Sequence, residues 1–277
     1  MASRQDGGRR IAPSPSGFSG AGSLRWRVLK DPPLPGFMNM ARDHALALSL
    51  RDGEGALRFY RWNPPTISFG RNEPAAGLYG REEAVAEGIA FVRRPTGGRA
   101  VLHHHELTYC LVFPEDLFGG LRRAYRTINQ GLMVGLKRLG AAVRLAEPSG
   151  PSPSPDAGPC FRQPAEGEVM AAGRKLIGSA QVRIEKRVLQ HGSIILDGDQ
   201  EALRRLRGDR EAVAPPATLR TLLGGVPEIT LLHASLLQGL EETLGGRWGA
   251  DEYRSDEKMA AERLEAHYED SGWTWRV

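Results

Sequence analysis

The chain has 277 residues, 40% of them hydrophobic and 25% charged, so it is long enough to bury a core without disulfides or structural metal ions. No apolar run approaches the roughly 18 residues that suggest a membrane-spanning helix, and residues 1–23 lack the apolar stretch of a secretory signal. The net charge is only +4, and no basic run interleaved with aromatic residues indicates nucleic-acid binding. We therefore predict a cytoplasmic protein that binds neither nucleic acid nor membrane.

The predicted elements alternate between strands and helices. Residues 1–23, rich in Gly, Ser, Pro and Arg, predict a disordered tail. In chain order, the apolar patterns then predict strand Leu24–Leu29, helix Phe37–Leu50, strands Leu57–Trp62 and Thr66–Phe69, helix Glu82–Glu87, strands Ile89–Arg93, Ala100–His103 and Leu107–Phe113, helix Leu121–Leu139, strands Val143–Leu145, Glu168–Met170, Lys175–Arg183 and Arg187–Leu196, and helices Leu219–Leu223, Leu231–Leu244 and Asp256–Tyr268. Ala100–His103 and Leu107–Phe113 flank a turn and predict a hairpin. The mixture favours a mixed α/β fold over a purely parallel sheet.

The segment Val92–Tyr109 carries two adjacent glycines between strands. A Gly-Gly turn lets backbone N–H groups approach a ligand closely, and arginines beside it could bind a phosphate or a carboxylate. The flanking arginines are Arg93, Arg94 and Arg99. Taken alone, the pattern favours a hairpin turn with a solvated basic rim.

The histidine triplet His103–His105 predicts no metal site, because adjacent strand residues point to opposite faces of a sheet.

Two residues in the segment Pro159–Leu196 could carry chemistry. Cys160 follows a loop of five prolines and three serines, where a thiol is accessible. Lys175 begins a predicted strand, and only five of the 37 basic residues of this chain are lysines. An ammonium group lowers the pKa of a neighbouring thiol, and a lysine in an apolar site can accept the thiol proton. Taken alone, each is interpreted more simply, Cys160 as an inert loop thiol and Lys175 as a solvated charge. Cys110 lies in an apolar strand and is predicted to be a small buried hydrophobe.

Together the two segments resemble the catalytic domain of the biotin/lipoate protein ligase superfamily, and within it the octanoyltransferases that are similar to lipoate ligases. The resemblance covers roughly residues 24–200. The motifs that carry it are Arg93-Arg94-Pro95-Thr96-Gly97-Gly98-Arg99-Ala100-Val101-Leu102-His103, Glu106-Leu107-Thr108-Tyr109, Cys160-Phe161, Gly173-Arg174-Lys175, Gly178-Ser179-Ala180-Gln181 and Leu189-Gln190-His191-Gly192-Ser193-Ile194. The resemblance implies a mixed α/β (α+β) fold, with a largely antiparallel sheet packed against helices. It also implies a tail at residues 1–23, a catalytic domain at 24–245 and a helical extension at 246–277 packed on that domain.

The resemblance further implies an acyltransferase that uses a thioester intermediate. Octanoyl would pass from acyl carrier protein to Cys160 and then to a lysine of a lipoyl domain, with Lys175 as the acid/base. Acceptors would be the glycine cleavage H protein and the acyltransferase subunits of 2-oxoacid dehydrogenases. The protein would be a monomer that needs no cofactor and no metal. The implied substrate-binding residues are Arg94, Thr96, Gly97, Gly98, Arg99, His103, Gly178, Ser179, Ala180, His191 and Gly192.

Three alternatives remain open on the same fold. The first is an ATP-dependent lipoate–protein ligase, which would need ATP and Mg²⁺; Arg71-Asn72-Glu73 resembles the ligases at this point. Against it, Arg99 stands where ligases show a third glycine, and only 80 residues follow Asp197. The second is an amidotransferase that moves octanoyl between lipoyl domains through Cys160. The third is an inactive protein that binds acyl domains, which would need neither Cys160 nor Lys175.

Overall fold

The computed structural model describes residues 24–147, 166–209 and 214–277. Its strands are β1 (Arg25–Lys30), β2 (Glu54–Tyr60), β3 (Thr66–Phe69), β4 (Ala90–Arg93), β5 (Val101–His103), β6 (Glu106–Pro114), β7 (Arg144–Leu145), β8 (Val169–Ala171), β9 (Arg174–Lys175), β10 (Ile177–Ile184), β11 (Arg187–Ile195) and β12 (Arg247–Ala250). Its helices are α1 (Gly36–Ser49), α2 (Arg81–Ala86), α3 (Leu121–Arg138), α4 (Glu201–Leu206), α5 (Leu219–Leu223), α6 (Ile229–Leu244), α7 (Ser255–Glu269) and α8 (Ser271–Thr274).

The main sheet has six strands in the order β10-β11-β6-β2-β1-β12. Its first three pairings are antiparallel, and β2-β1 and β1-β12 are parallel, which confirms the predicted mixed, largely antiparallel fold. Because side chains alternate along a strand, β6 supplies two cores at once. Tyr109 and Leu111 pack with α3 and α6, while Cys110 and Val112 face α1. The sheet therefore lies between two helical layers.

A second sheet, in the order β4-β3-β5, lies apart from the main one. The predicted hairpin between Ala100–His103 and Leu107–Phe113 is therefore wrong. Strand β5 pairs with β3, whereas β6 pairs with β2 and β11 of the main sheet. The short connection His104–His105 carries the chain from one sheet to the other instead of turning it back. The two sheets thus meet at the histidine triplet.

A third, small sheet in the order β7-β8-β9 positions the predicted acid/base. Its β8–β9 hairpin turns at Ala172 and Gly173, whose φ angles are +47° and +75°. Positive φ at both central residues is the geometry of a type I′ turn, which suits a two-residue hairpin loop. Lys175 ends β9 instead of beginning a longer strand, because Leu176 separates β9 from β10, which pairs with β11 of the main sheet.

Residues 247–277 pack on the rest of the protein in three ways. Strand β12 extends the main sheet beside β1, and α7 packs against α1. Residues 273–277 reach the end of β4: Arg93 Nε donates to the carbonyl of Thr274 at 2.9 Å, and Trp273 Nε1 donates to the carbonyl of Arg93 at 2.9 Å. The backbone N–H groups of Ala75 and Ala76 donate to the carbonyl of Val277.

In the described ranges, no helix is both long and apolar enough to cross a membrane.

Candidate active site

A cavity of about 430 Å³, a volume that includes space open to solvent, lies where the two larger sheets meet. Eight of the predicted substrate-binding residues line it, namely Arg94, Gly98, His103, Gly178, Ser179, Ala180, His191 and Gly192. Seven lining residues were not among the predicted ones, namely Met40, Tyr60, Trp62, Ser68, Val101, Thr108 and Ser193. The Gly-Gly motif and the β10–β11 motifs thus face each other across one space.

The three remaining predicted residues shape the loop between β4 and β5. Thr96 lies behind the cavity, with its Oγ1 at 2.7 Å from His191 Nε2. The carbonyls of Gly97 and Arg99 both accept hydrogen bonds from Arg94 Nη2, at 2.9 and 2.8 Å. The expectation of a solvated basic rim is wrong, since Arg93, Arg94 and Arg99 are all buried. The guanidinium groups of Arg93 and Arg94 donate to backbone carbonyls, as the fixed fork of N–H donors on an arginine is suited to do.

A buried acid fixes the orientation of His191. Asp43 Oδ2 lies 3.0 Å from His191 Nδ1 and accepts from the Tyr60 hydroxyl, while Oδ1 pairs with Arg58 at 2.7 Å. Burial opposes ionisation of Asp43, but Arg58 and these hydrogen bonds hold its pKa below the usual value. The carboxylate therefore accepts the proton on Nδ1, which leaves Nε2 to accept from the Thr96 hydroxyl. This chain of contacts ties helix α1 to the loop at the mouth of the cavity.

A second buried acid, Glu106, lies beneath the cavity floor. Its carboxylate accepts from Thr108 Oγ1 at 2.8 Å and from Ser193 Oγ at 2.6 Å, and both residues line the cavity. His103 stacks on the ring of Trp62 with centroids 4.0 Å apart, and its Nε2 lies 2.8 Å from Ser68 Oγ. Burial lowers the pKa of His103, so its ring is neutral at pH 7. One wall of the cavity is therefore aromatic and uncharged.

The loop at the cavity mouth depends on a close backbone approach at Gly70. A Cβ added there would lie 1.8 Å from the carbonyl oxygen of Gly98, whose own φ is +91°. We expect Gly70→Ala to lower the free energy of unfolding by several kcal/mol, because backbone atoms on both sides must shift. Gly97→Ala is the matched control, since a Cβ there meets nothing within 4 Å. Thermal unfolding followed by circular dichroism measures both, and equal melting temperatures would contradict the expectation.

Lys175 is buried with a carboxylate partner that the sequence analysis did not identify. Its Nζ donates to Glu168 Oε1 at 2.6 Å, and both side chains are almost fully inaccessible. This contradicts the interpretation of Lys175 as a solvated charge. The pair lies next to the cavity, because the Tyr125 hydroxyl bridges Glu168 Oε1 at 3.4 Å and the carbonyl of Ser179 at 3.3 Å. The other predicted catalytic residue, Cys160, lies outside the described residues.

The structure agrees with the predictions for the second cysteine. Cys110 is fully buried, in a core cluster with Met40 and Val112, as predicted. Burial raises the pKa of its thiol well above the usual value, and a thiol that stays protonated is a poor nucleophile.

Within the described ranges, no three His, Cys, Asp or Glu side chains form a group that could hold a metal ion.

Sequence comparison identifies the family. Residues 35–224 match the family model described as the lipoyl protein ligase A/B catalytic domain. The chain belongs to this family. It is 38% identical over 272 residues to the octanoyltransferase LipM of Kyrpidia tusciae, covering 91% of this chain and 98% of that relative. It is 36% identical over 269 residues to the octanoyltransferase LipM of Symbiobacterium thermophilum, with the same coverage. The predicted resemblance is thereby confirmed.

Solved structures of this family share the fold. A bi-partite lipoate protein ligase from Thermoplasma acidophilum matches with a TM-score of 0.71 and 22% identity, over 91% of this chain and 96% of that one. A lipoate-protein ligase A bound with ATP matches with a TM-score of 0.73 and 24% identity, over 91% of this chain and 99% of that one. At these identities the likeness shows the lipoyl ligase fold alone.

Proposed function

We propose that this protein is an octanoyltransferase that carries octanoyl from acyl carrier protein to lipoyl domains through a thioester on Cys160. The observation that carries the proposal is the buried Lys175, next to a cavity lined by the predicted substrate-binding residues. The names of the two relatives support octanoyl as the acyl group, and they confirm the prediction of an acyltransferase. Membership of the lipoyl ligase family supports lipoyl-domain proteins as acceptors.

The proposed chemistry has two balanced steps. The Cys160 thiolate attacks the octanoyl thioester of the carrier, a new thioester forms, and the carrier thiol leaves with a proton from Lys175. The acceptor lysine amine then attacks the enzyme thioester, an amide forms, Lys175 takes a proton from the amine, and Cys160 leaves as the thiolate that began the first step. A thioester is exchanged for a thioester and then for a more stable amide, so no ATP is consumed.

The proposal assigns roles to the residues around the cavity. Gly98 and the Gly178-Ser179 backbone would position the reacting carbonyl, where preorganised N–H groups stabilise developing negative charge. The apolar wall of Met40, Trp62 and Val101 would hold the acyl chain. His191, held by Asp43, would keep the loop at residues 96–99 in place. The proposed scheme uses no cofactor.

A mass measurement tests the proposal against its alternatives. The protein is incubated with octanoyl carrier protein without ATP, and the expected result is an octanoyl adduct that hydroxylamine removes, followed by octanoylation of an added lipoyl domain. Modification of the lipoyl domain only when ATP and a free acid are supplied would establish the ligase instead. An adduct formed only from an octanoylated lipoyl domain would establish the amidotransferase. No adduct under any of these conditions would leave the inactive binding protein.

The proposed partners are acidic proteins, so encounter with this basic chain should be steered by charge. We expect kcat/KM for the carrier protein to fall as salt rises, since the Debye length shrinks from about 10 Å at 0.1 M to about 3 Å at 1 M. Residues 1–23 carry four charged side chains and should be dispensable. A truncation that starts at Ser23 is therefore expected to keep the activity and its salt dependence. Loss of most activity at physiological salt on truncation would contradict this.

A further inference from the structure

Glu168 is the feature of the site to which the proposed chemistry gives no role. It lies on the short connection into β8 and is buried, with its carboxylate 2.6 Å from Lys175 Nζ. The same oxygen accepts from the Tyr125 hydroxyl of α3 at 3.4 Å. Tyr125 in turn donates to the carbonyl of Ser179 on the cavity wall at 3.3 Å. Glu168 thus connects the predicted acid/base to the helix and to the strand that borders the cavity.

The backbone sets this contact through the β8–β9 hairpin. Met170 is the register partner of Lys175, so Glu168, two residues before Met170, is a diagonal neighbour of Lys175 on the same face. Such neighbours lie within reach of long side chains. The β8–β9 ladder continues at the backbone, where the N–H of Leu176 donates to the carbonyl of Val169 at 2.9 Å. The short hairpin therefore leaves the lysine little freedom to move away from the carboxylate.

The pair also places a carboxylate where it contacts the ammonium form of Lys175. Burial alone disfavours the ammonium form, as the sequence analysis assumed, but a carboxylate at hydrogen-bond distance favours it. Breaking a buried ion pair by removing one partner leaves a charge that is costly to keep. Among the described residues, the charged and polar groups on the elements around the pair include Tyr125 and Asn129 from α3, Arg144 from β7 and the half-buried Arg174 beside Lys175. In the same ranges, Glu168 is the carboxylate that forms an ion pair with Lys175.

We infer that Glu168 is a positioning residue for the acyl transfer, which holds the Lys175 amine at the edge of the cavity and pairs with its ammonium form before the first step and after the second. This inference rests on the proposed function. In the first step Lys175 gives a proton to the carrier thiol while Glu168 keeps its charge. In the second step the proton that Lys175 takes from the acceptor amine restores the ion pair. Glu168 itself neither gains nor loses a proton, so the cycle stays balanced.

The test measures the second step alone. Because this step starts from the octanoylated enzyme, the ionisation of the Cys160 thiol does not affect the measured rate. Octanoylated enzyme is isolated, mixed with a lipoyl domain in a single turnover, and followed by mass spectrometry across pH. Glu168→Gln is expected to lower the plateau rate about tenfold, because the amine is no longer held. Glu168→Gln is also expected to move the acidic limb of the pH–rate profile to lower pH. Without the carboxylate the ammonium form of Lys175 is less stable, so Lys175 becomes neutral, and able to accept a proton, at lower pH. Every variant is assayed with the same lipoyl domain, so a difference in the position of the acidic limb reports a change in the enzyme and not in the acceptor amine.

Two further variants separate positioning from folding. Glu168→Asp keeps the charge with a shorter reach, so its limb should match the wild type while its plateau lies between wild type and Glu168→Gln. Glu185→Gln, an exposed residue in the β10–β11 turn, makes the same chemical change away from the pair and should alter neither. A reduced folded fraction lowers the plateau of any variant but cannot move the limb. Should Glu168→Gln not fold, the plateau of Glu168→Asp is compared together with its melting temperature. A lowered plateau at the wild-type melting temperature supports the inference, and an unchanged plateau overturns it.

The outcomes also distinguish this inference from the proposed function. If the wild-type protein forms no octanoyl-enzyme, the proposed function fails first. If it forms one and Glu168→Gln matches it in plateau and limb, only the role of Glu168 is overturned. A Glu168→Gln limb that coincides with the wild type, even with a lowered plateau, also overturns it, because a purely structural residue would behave in that way.

Discussion

Cys160→Ala is expected to abolish octanoyl transfer, whereas Cys110→Ser is expected to keep it. The thioester scheme has no other nucleophile, so removal of the Cys160 thiol removes the intermediate itself. Cys110 cannot substitute, because burial raises the pKa of its thiol and keeps it protonated. Its replacement by serine puts a hydroxyl into a packed core and should cost stability, on the order of 1–3 kcal/mol, without touching the chemistry.

The measurement is the mass of the enzyme after incubation with octanoyl carrier protein, followed by peptide mapping of the adduct. The wild type and Cys110→Ser should both carry octanoyl on the peptide that contains Cys160. Cys160→Ala should carry none and should unfold at the wild-type temperature if the thiol has no structural role. Transfer by Cys160→Ala, or an adduct that maps to Cys110, would contradict the thioester scheme.

Lys175→Arg is expected to cut octanoyl transfer by about 10²–10⁴, although it conserves the charge, because this is the usual worth of general acid–base catalysis. Arginine stays protonated at every accessible pH and cannot accept a proton from the acceptor amine. Its fork could still pair with Glu168, so the fold should survive the change. Arg174→Lys is the matched control: its side chain is only half-buried, and the variant should keep most of the activity.

A second measurement probes the same lysine through the thiol. Lys175→Ala removes the cation that would stabilise the Cys160 thiolate, so the thiol should ionise only at higher pH. The pH profile of alkylation by iodoacetamide should therefore move to higher pH in Lys175→Ala relative to the wild type. Superimposable profiles, or a fully active Lys175→Arg enzyme, would show that the two residues are not coupled.

Elements with a long apolar period were predictable from the sequence, and pairings between elements were not. The helix predicted at Leu121–Leu139 is observed at Leu121–Arg138, because its period persists over five turns. The His104–His105 connection has the same local pattern whether the chain turns back or crosses to another sheet, so the false hairpin could not be detected locally. The short helix α4 and the strand β12 were missed, since neither is long enough to show a period.

The candidate site, like the fold, was predictable from the sequence only in part. Motifs identified the cavity residues that lie close together in the sequence, such as Gly178 and Ser179. The buried acids behind them come from distant elements, and their position depends on packing that one sequence does not reveal. Asp43 reaches His191 from α1 across 148 residues. Glu168 is the exception: the pairing of a short hairpin places it diagonal to Lys175, and that signal was available.

The contacts that residues 273–277 make with Arg93, the last residue of β4, set an order of events during synthesis. A growing chain folds from its N-terminal part as it leaves the ribosome. Arg93 is fully buried, and its Nε is satisfied by the carbonyl of Thr274, a residue made 181 positions later. Until that segment emerges, Arg93 lacks a partner that it has in the folded protein, directly before the loop that carries the Gly-Gly motif. The end of β4 therefore reaches its final arrangement only late in translation, when the nascent chain already contains Cys160 and Lys175.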